Sequence, residues 1–164
     1  MAAIQPYLLG LAGEYRVCSE LNKRGIFASV TYGNRKSADF YAIDESGNHA
    51  LKIEVKTSQH RNFVTRITQR HLDTEPNAPD FWVLVSIHKS GQGKFVDRFF
   101  VLSHREICEQ QEARNRIYAQ KYRKRHGRTP DVAKGVDNVK VEDVERFEDE
   151  WSKIIERFKE KARR

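Results

Sequence analysis

The sequence has no long apolar run and very little cysteine. No apolar segment approaches the roughly 20 residues that span a bilayer, and Met1-Ala2-Ala3 opens without the basic start and apolar core of a signal peptide. We therefore expect a cytoplasmic protein that does not bind a membrane. We also expect no small-molecule cofactor. Cys18 and Cys108 are the only cysteines, and no CxxC pair or His/Cys spacing of a zinc site is present. We predict that both are buried, reduced thiols.

Acidic residues are outnumbered by basic ones. The 164 residues include 23 acidic residues and 30 lysines and arginines, which gives a net charge of +7. A positive potential of this kind attracts phosphate backbones, so nucleic acid is a more probable partner than an acidic metabolite. The length fits one domain with a sizeable core.

The first long segment has the periodicity of a helix. Residues 5–24 carry apolar side chains at spacings of three and four, namely Leu8, Leu11, Tyr15, Cys18 and Leu21. Gly25 follows as the expected C-cap. Residues 26–31 are rich in β-branched and aromatic side chains and predict a strand, and residues 33–37 predict a polar loop.

Four further strands are predicted downstream. Residues 38–43 and 50–58 predict a hairpin, because Glu45-Ser46-Gly47-Asn48 between them is typical of a turn. Apolar runs at 81–87 and 96–102, separated by glycines, predict two more strands and a sheet of about five in total. Residues 61–69 are compatible with either a strand or a short helix.

Two more helices are predicted in the C-terminal half. Ser103 and Glu106 have the spacing of a capping box, so a helix should begin there and continue to about residue 124. Apolar residues at helical spacing predict one closing helix over residues 141–161. Its acidic residues come early and its basic residues late, as the helix dipole favours.

Two carboxylates and a lysine meet on the predicted hairpin. Asp39 lies on the first strand, and Glu54 and Lys56 project from one face of the second because they are two residues apart. A carboxylate pair suits Mg²⁺ or Mn²⁺, and a neighbouring lysine can orient water or stabilise charge on a phosphate. These are the residue types that metal-dependent hydrolysis of phosphodiester bonds uses. They could also be a solvated charge pair, with Asp39 bound to Arg35 or Lys36.

Glu14 on the first helix, Asp39 and Glu54-Val55-Lys56 together resemble the PD-(D/E)XK nuclease superfamily. The N-terminal half is similar to small archaeal Holliday junction resolvases, and more of the chain is similar to small stand-alone prokaryotic members. The resemblance implies an α/β, restriction-endonuclease-like fold with a three-layer core, in which helices flank a mixed sheet of about five strands and a C-terminal helical extension follows. Ala38 replaces the namesake proline, and the loop at 33–37 differs from the serine-containing glycine loop of resolvases.

The resemblance also implies boundaries and roles. We expect a single nuclease-like domain over 1–164, with its core over about 5–119 and a basic loop and helix over about 120–164. Asp39, Glu54 and the main-chain carbonyl of Val55 would bind Mg²⁺ or Mn²⁺. Lys56 would position or help deprotonate the attacking water. Glu14 would complete a second metal position or hold a metal-bound water, although it could instead pair with Arg16 or be an exposed charge.

Basic residues form two candidate surfaces for nucleic acid. One surrounds the predicted site, and the other lies near the end of the second long helix, where Tyr118 and Tyr122 are interleaved with the cations. The candidates for nucleic-acid binding are Arg35, Lys36, Gln59, Arg61, Arg66, Arg70, Lys121, Arg123, Lys124 and Arg125. The second surface could equally be a solvated face, a partner surface, or a face turned to the acidic stretch 142–150.

These features predict a metal-dependent DNA endonuclease that hydrolyses phosphodiester bonds. One active site per chain cuts one strand, so symmetric cleavage of a duplex or a junction would require a homodimer. Two alternatives stay open. A module of the same fold could bind nucleic acid or a partner without catalysis, and a Holliday junction resolvase would bind four-way DNA better than linear duplex.

Overall fold

A mixed sheet flanked by helices forms the centre of the molecule in the computed structural model, which describes residues 4–30, 38–67, 78–131 and 137–163. In chain order the described elements are α1 (Pro6–Lys23), β1 (Phe27–Ala28), β2 (Phe40–Ile43), β3 (Ala50–Ser58), β4 (Asn62–Val64), β5 (Phe81–Lys89), β6 (Phe95–Ser103), α2 (His104–His126), β7 (Asn138–Lys140), α3 (Val141–Val144) and α4 (Ser152–Ala162). The main sheet has the order β1-β2-β3-β5-β6. Only the β3–β5 pairing in it is parallel. The predicted α/β class and the sheet of about five strands are confirmed.

The sheet separates two hydrophobic cores. Val83 and Val85 of β5 pack in a cluster with Val17 of α1 and Phe158 of α4. Trp82 and Leu84, which alternate with them along the strand, belong instead to a cluster that contains residues of α2, α3, β4 and β7. Since neighbouring side chains of a strand point to opposite faces, the two clusters lie on opposite sides of the sheet. The arrangement is therefore three-layered.

Helix α1 has the bounds that its periodicity predicted. It begins at Pro6, which fixes a helical φ where no N–H partner is needed. Gly25 follows the C-cap residue with φ 77°. Its N–H bonds the Asn22 carbonyl, and the Ile26 N–H bonds the Leu21 carbonyl. This Schellman motif ends the helix and turns the chain into β1.

Helix α2 begins with the predicted capping box and extends beyond the folded core. The Glu106 N–H donates to Ser103 Oγ at 3.3 Å, and the Ser103 N–H donates to Glu106 Oε2 at 2.8 Å. The buried residues of α2 are Ile107, Cys108 and Gln111, all in its first half. The second half of α2 therefore projects from the core.

The single helix predicted over residues 141–161 is wrong. The chain forms α3, one 3₁₀ turn and then α4, with Asp149 at φ 54° between them. The break follows from contacts with β6, because the Asp149 N–H donates to the Phe99 carbonyl at 2.9 Å and Arg98 holds Glu148 through two hydrogen bonds of 2.7 Å. These bonds compensate for the lost helical ones.

Three smaller predictions have clear outcomes. The segment left open at 61–69 contains β4, which pairs with β7 in a separate two-stranded sheet. The strand predicted at 26–31 is shorter and is described only as β1. Both cysteines are buried and are not joined in a disulfide, as predicted. Among the described helices, none combines the length and apolar character needed to cross a bilayer.

Candidate active site

Asp39 is held against β3 beside Glu54. It precedes β2, whose register pairs Phe40 with Ile53, and the Asp39 N–H also donates to the Ile53 carbonyl, at 3.1 Å. Two residues of one strand thus oppose one residue of the other, as at a β-bulge. The Asp39 carboxyl accepts a hydrogen bond from the Val55 N–H. It therefore lies next to the peptide that joins Glu54 to Val55.

The main chain at Val55 completes a set of oxygen donors beside this pair. The Val55 N–H donates to Asp39 Oδ2 at 2.6 Å, because β2 begins only at Phe40 and offers no main-chain acceptor here. In an antiparallel pair the N–H and C=O of one residue point toward the same neighbour. The Val55 carbonyl therefore points to the Asp39 side of β3, as a metal-binding carbonyl would have to do.

Lys56 is held between a carboxylate and an aromatic ring. Its ammonium forms a salt bridge with Glu54, and Nζ lies 5.8 Å from the centroid of the Trp82 ring. Trp82 is the partner of Glu54 in the parallel β3–β5 register. Its indole N–H donates to Nδ1 of His104, the first residue of α2, at 3.1 Å. The conformation of Lys56 is thus supported from two sides.

Sequence reasoning missed Trp82 as a part of this site. In the sequence Trp82 lies in a continuous apolar run and has the pattern of a core residue. Its indole N–H, which needs a partner when buried, was the available signal. Only the β3–β5 pairing brings it beside Lys56.

Glu14 reaches the site because α1 packs very closely on β3. Gly13 is buried, and a Cβ atom there would lie 1.8 Å from Thr57 Oγ1. Only glycine permits this approach without a shift of the helix. Burial, followed by the negative charge of Asp39, raises the pKa of Glu14 to about 7, and Lys56 opposes the shift. The charges of Asp39, Lys56 and Glu54 all act on Glu14, so its carboxyl is within electrostatic range of theirs.

Among the described residues, the site has more acidic than basic side chains. Burial raises the pKa of Glu54, and Asp39 adds to the shift while Lys56 counteracts it. The pKa of Glu14 is raised as well. In the described part of the site, three carboxyl groups are thus balanced by one lysine. Such a half-buried, oxygen-rich set is stabilised by a hard divalent cation. The oxygen donors of these residues are therefore of the type that binds Mg²⁺ or Mn²⁺.

No ready-made metal cluster is present in the part of the chain that the structure describes. Three or more acidic, histidine or cysteine side chains do not converge there on one point. The candidate donor set is accordingly Asp39, Glu54 and the Val55 carbonyl, with Glu14 beside it. Lys56 forms a salt bridge with Glu54, and the Val55 N–H donates to Asp39 Oδ2.

The predicted nucleic-acid contacts near the site are described only in part. Gln59 follows β3, and its Oε1 accepts from the Ile4 N–H at 3.4 Å. Arg61 is exposed and forms a salt bridge of 2.6 Å with Glu142. Arg66 is exposed at a positive φ of 57°. The predicted contacts outside the described residues are Arg35, Lys36 and Arg70.

The second basic surface lies on the projecting half of α2. Lys121, Arg123, Lys124 and Arg125 are all exposed there. The described salt bridges of the acidic stretch 142–150 go to Arg61, Arg98 and Arg114. Arg114, at the start of this basic stretch of α2, therefore does face the acidic stretch, through Asp143. Lys121, Arg123, Lys124 and Arg125 form no salt bridge with it among the described residues.

Comparisons with known proteins identify no family but find similar solved structures. No protein-family model matches the chain, and no curated protein matches it. The solved structure of a bacterial homing endonuclease is similar over 62% of this chain and 67% of that chain, with 21% sequence identity and a TM-score of 0.39. We therefore base the function on the geometry of the site.

Proposed function

We propose that this protein is a DNA endonuclease of the PD-(D/E)XK type, which hydrolyses phosphodiester bonds with Mg²⁺ or Mn²⁺. The observation that carries the proposal is the hydrogen bond from the Val55 N–H to Asp39 Oδ2, which holds the Asp39 carboxyl beside Glu54, while Lys56 shares the strand face of Glu54. The three-layer fold around a five-stranded mixed sheet supports it. The positive net charge of +7 agrees with a nucleic-acid substrate.

The proposed roles follow from the surroundings of each side chain. Asp39, Glu54 and the Val55 carbonyl would hold the cation, which when bound acts as a Lewis acid on the phosphate and on a water. The Lys56 ammonium, restrained by Glu54 and by the Trp82 ring, can orient the attacking water or stabilise negative charge that develops on the phosphate.

Glu14 has a supporting role in this proposal. It is carried by a helix that Gly13 brings into close contact with β3. From that position it can accept a hydrogen bond from a water beside the other carboxylates. Because one such site serves one strand, we further propose that a homodimer cuts duplex DNA.

Cleavage assays with matched variants test the proposal. Supercoiled plasmid and single-stranded DNA would be incubated with wild type, Glu54→Ala and Lys56→Ala, in Mg²⁺, Mn²⁺ or EDTA. Glu20→Ala and Lys23→Ala are the controls, since these residues form a comparable salt bridge on the exposed side of α1. We expect metal-dependent cutting by wild type and both controls, and a loss of at least about a hundredfold in both site variants.

Other outcomes of these assays would support one of the alternative functions. Intact DNA binding by all five proteins without any cutting would contradict the proposal and identify a non-catalytic module of the same fold. Cutting of a four-way junction in strong preference to plasmid would identify a junction resolvase. An equal loss of cutting in the control variants would show that Glu54 and Lys56 have no specific role in cleavage.

A further inference from the structure

The projecting half of α2 carries a row of aromatic rings away from the candidate active site. Tyr118, Tyr122 and His126 are four residues apart, and the successive ring centroids are 5.9 Å and 4.4 Å apart. All the buried residues of α2 precede Tyr118. At 1.5 Å of rise per residue, Tyr122 lies roughly 27 Å along the helix from His104, which contacts Trp82 at the candidate active site. This row is therefore separate from both the core and the active site.

The chain that follows α2 turns back over this row and encloses a cavity. Gly127 ends the helix in the left-handed conformation, with φ 66°. Two tyrosines and the returning segment then line a cavity of about 420 Å³, whose lining residues are Tyr118, Tyr122, Arg128, Thr129, Pro130 and Asp131. That volume is within the range of about 300–1,000 Å³ that is common for ligand pockets. Its walls combine two aromatic side chains with one guanidinium group, that of Arg128, and one carboxylate, that of Asp131.

The surface around this cavity is positively charged over a long stretch. Residues 113–130 contain seven lysines and arginines and no aspartate or glutamate. Arg114 and Arg116 form salt bridges with Asp143 and Glu112. The remaining five form no salt bridge within the described ranges, and they are Lys121, Arg123, Lys124, Arg125 and Arg128. A ligand with several negative charges would therefore be attracted to this surface.

We propose that the cavity binds a base of single-stranded nucleic acid, stacked on Tyr118 and Tyr122, while the adjoining phosphates contact the surrounding lysines and arginines. Aromatic rings beside a cationic track are the combination that binds single strands, because every base has a face that stacks and every nucleotide has a charge. Arg128 at the cavity can contact the phosphate or stack on the base. The inference rests on the proposed nuclease function for its choice of nucleic acid as the ligand.

Binding of two labelled strands of equal length tests the proposal. One strand is oligothymidine and the other is an abasic strand, which has the same phosphates and no bases. Fluorescence anisotropy in EDTA measures binding of both without cleavage. We expect wild type to bind oligothymidine about tenfold more tightly than the abasic strand. The double variant Tyr118→Ala/Tyr122→Ala should lose this preference and keep its affinity for the abasic strand.

Two further variants separate stacking from charge and from folding. Tyr118→Phe/Tyr122→Phe keeps both rings and should keep the preference for oligothymidine. Lys121→Ala/Lys124→Ala should weaken the binding of both strands by the same factor. The lysine variant should also lower the slope of log affinity against log salt by about 1.4, at about 0.7 per single-strand phosphate contact. Tyr7→Ala, a change at a tyrosine on α1 that is 71% exposed, is the matched control and should behave as wild type.

The outcomes distinguish this inference from the proposed function. Equal binding of the two strands by wild type, or a base preference that survives in Tyr118→Ala/Tyr122→Ala, would overturn the cavity as a base site. A tyrosine-dependent preference in a protein that cuts no DNA would leave the cavity in place and refute only the nuclease.

Discussion

Replacing Gly13 by alanine tests the contact that brings Glu14 to the site. The added Cβ would lie 1.8 Å from Thr57 Oγ1, 2.9 Å from Thr57 Cβ and 3.0 Å from Thr57 Cγ2. Rotation of the threonine does not relieve the contact, because its Cβ does not move when χ1 changes. Helix α1 must therefore move away from β3. Gly10 on the same helix is the matched control, since a Cβ there meets nothing within 4 Å.

The expected changes in the free energy of unfolding have opposite signs for Gly10→Ala and Gly13→Ala. Alanine is favoured over glycine inside a helix by about 1 kcal/mol, so Gly10→Ala should be stabilised by about 0.5–1 kcal/mol. Gly13→Ala has the same propensity gain, but overpacking costs about 1–3 kcal/mol, and the short contact favours the upper end. We expect a net loss of about 1–2 kcal/mol for Gly13→Ala. Each kcal/mol corresponds to roughly 2–4 °C in Tm for a domain of this size.

Urea unfolding of the two variants and of Thr57→Ala measures these terms. Thr57 Oγ1 is buried and forms no hydrogen bond in the described structure, so its removal leaves no donor without a partner. Thr57→Ala should then partly rescue Gly13→Ala, with a coupling energy of about 1 kcal/mol or more in a double-mutant cycle. Cleavage activity should fall in Gly13→Ala and stay unchanged in Gly10→Ala, because only the first displaces Glu14.

Two results would refute this reasoning. If Gly13→Ala were as stable as Gly10→Ala, then α1 would not be in close contact with β3. If the double-mutant cycle gave no coupling, the loss in Gly13→Ala would have a cause other than Thr57.

Two further predictions concern the carboxyl group of Glu14 and the two cysteines. In EDTA, Glu14→Gln should be more stable than wild type by about 1 kcal/mol at about pH 8 and equal to it near pH 4, as measured by urea unfolding. The folded protein favours protonated Glu14, whose pKa is raised from 4.5 to about 7, so wild type loses stability as pH rises through that window. A stability difference independent of pH would contradict this. Cys18 and Cys108 should not react with a thiol reagent until denaturant is added, because both are buried and burial raises the pKa of Cys18 to about 11. Rapid labelling of either thiol in the native protein would contradict that burial.

Much of the local structure could be predicted because its causes are local. The turn at 45–48 and the alternating apolar residues of β3 predicted the hairpin, and Ser103 with Glu106 predicted the start of α2. The common face of Glu54 and Lys56 also follows from a separation of two residues on a strand. No distant contact is needed for any of these features.

The errors occur where distant segments decide the conformation. Residues 141–161 carry a helical pattern, but Arg98 and the Phe99 carbonyl on β6 hold Glu148 and Asp149 out of the helix. Short segments such as β4 have too few residues for a pattern, and their pairing with β7 comes from chain folding. Tertiary hydrogen bonds outweigh the small propensity differences in both regions.

The sequence by itself determined which residue types are available at the site and which of them share a strand face, because side-chain alternation is a property of one strand. Only the tertiary structure decided that Trp82 supports Lys56, since that contact depends on the parallel register of β3 with β5. It also decided that Glu14 comes within electrostatic range of Asp39, because that depends on how closely α1 can pack at Gly13. Contacts between segments far apart in the chain are selected by the packing of the whole core, and a local pattern carries no record of them.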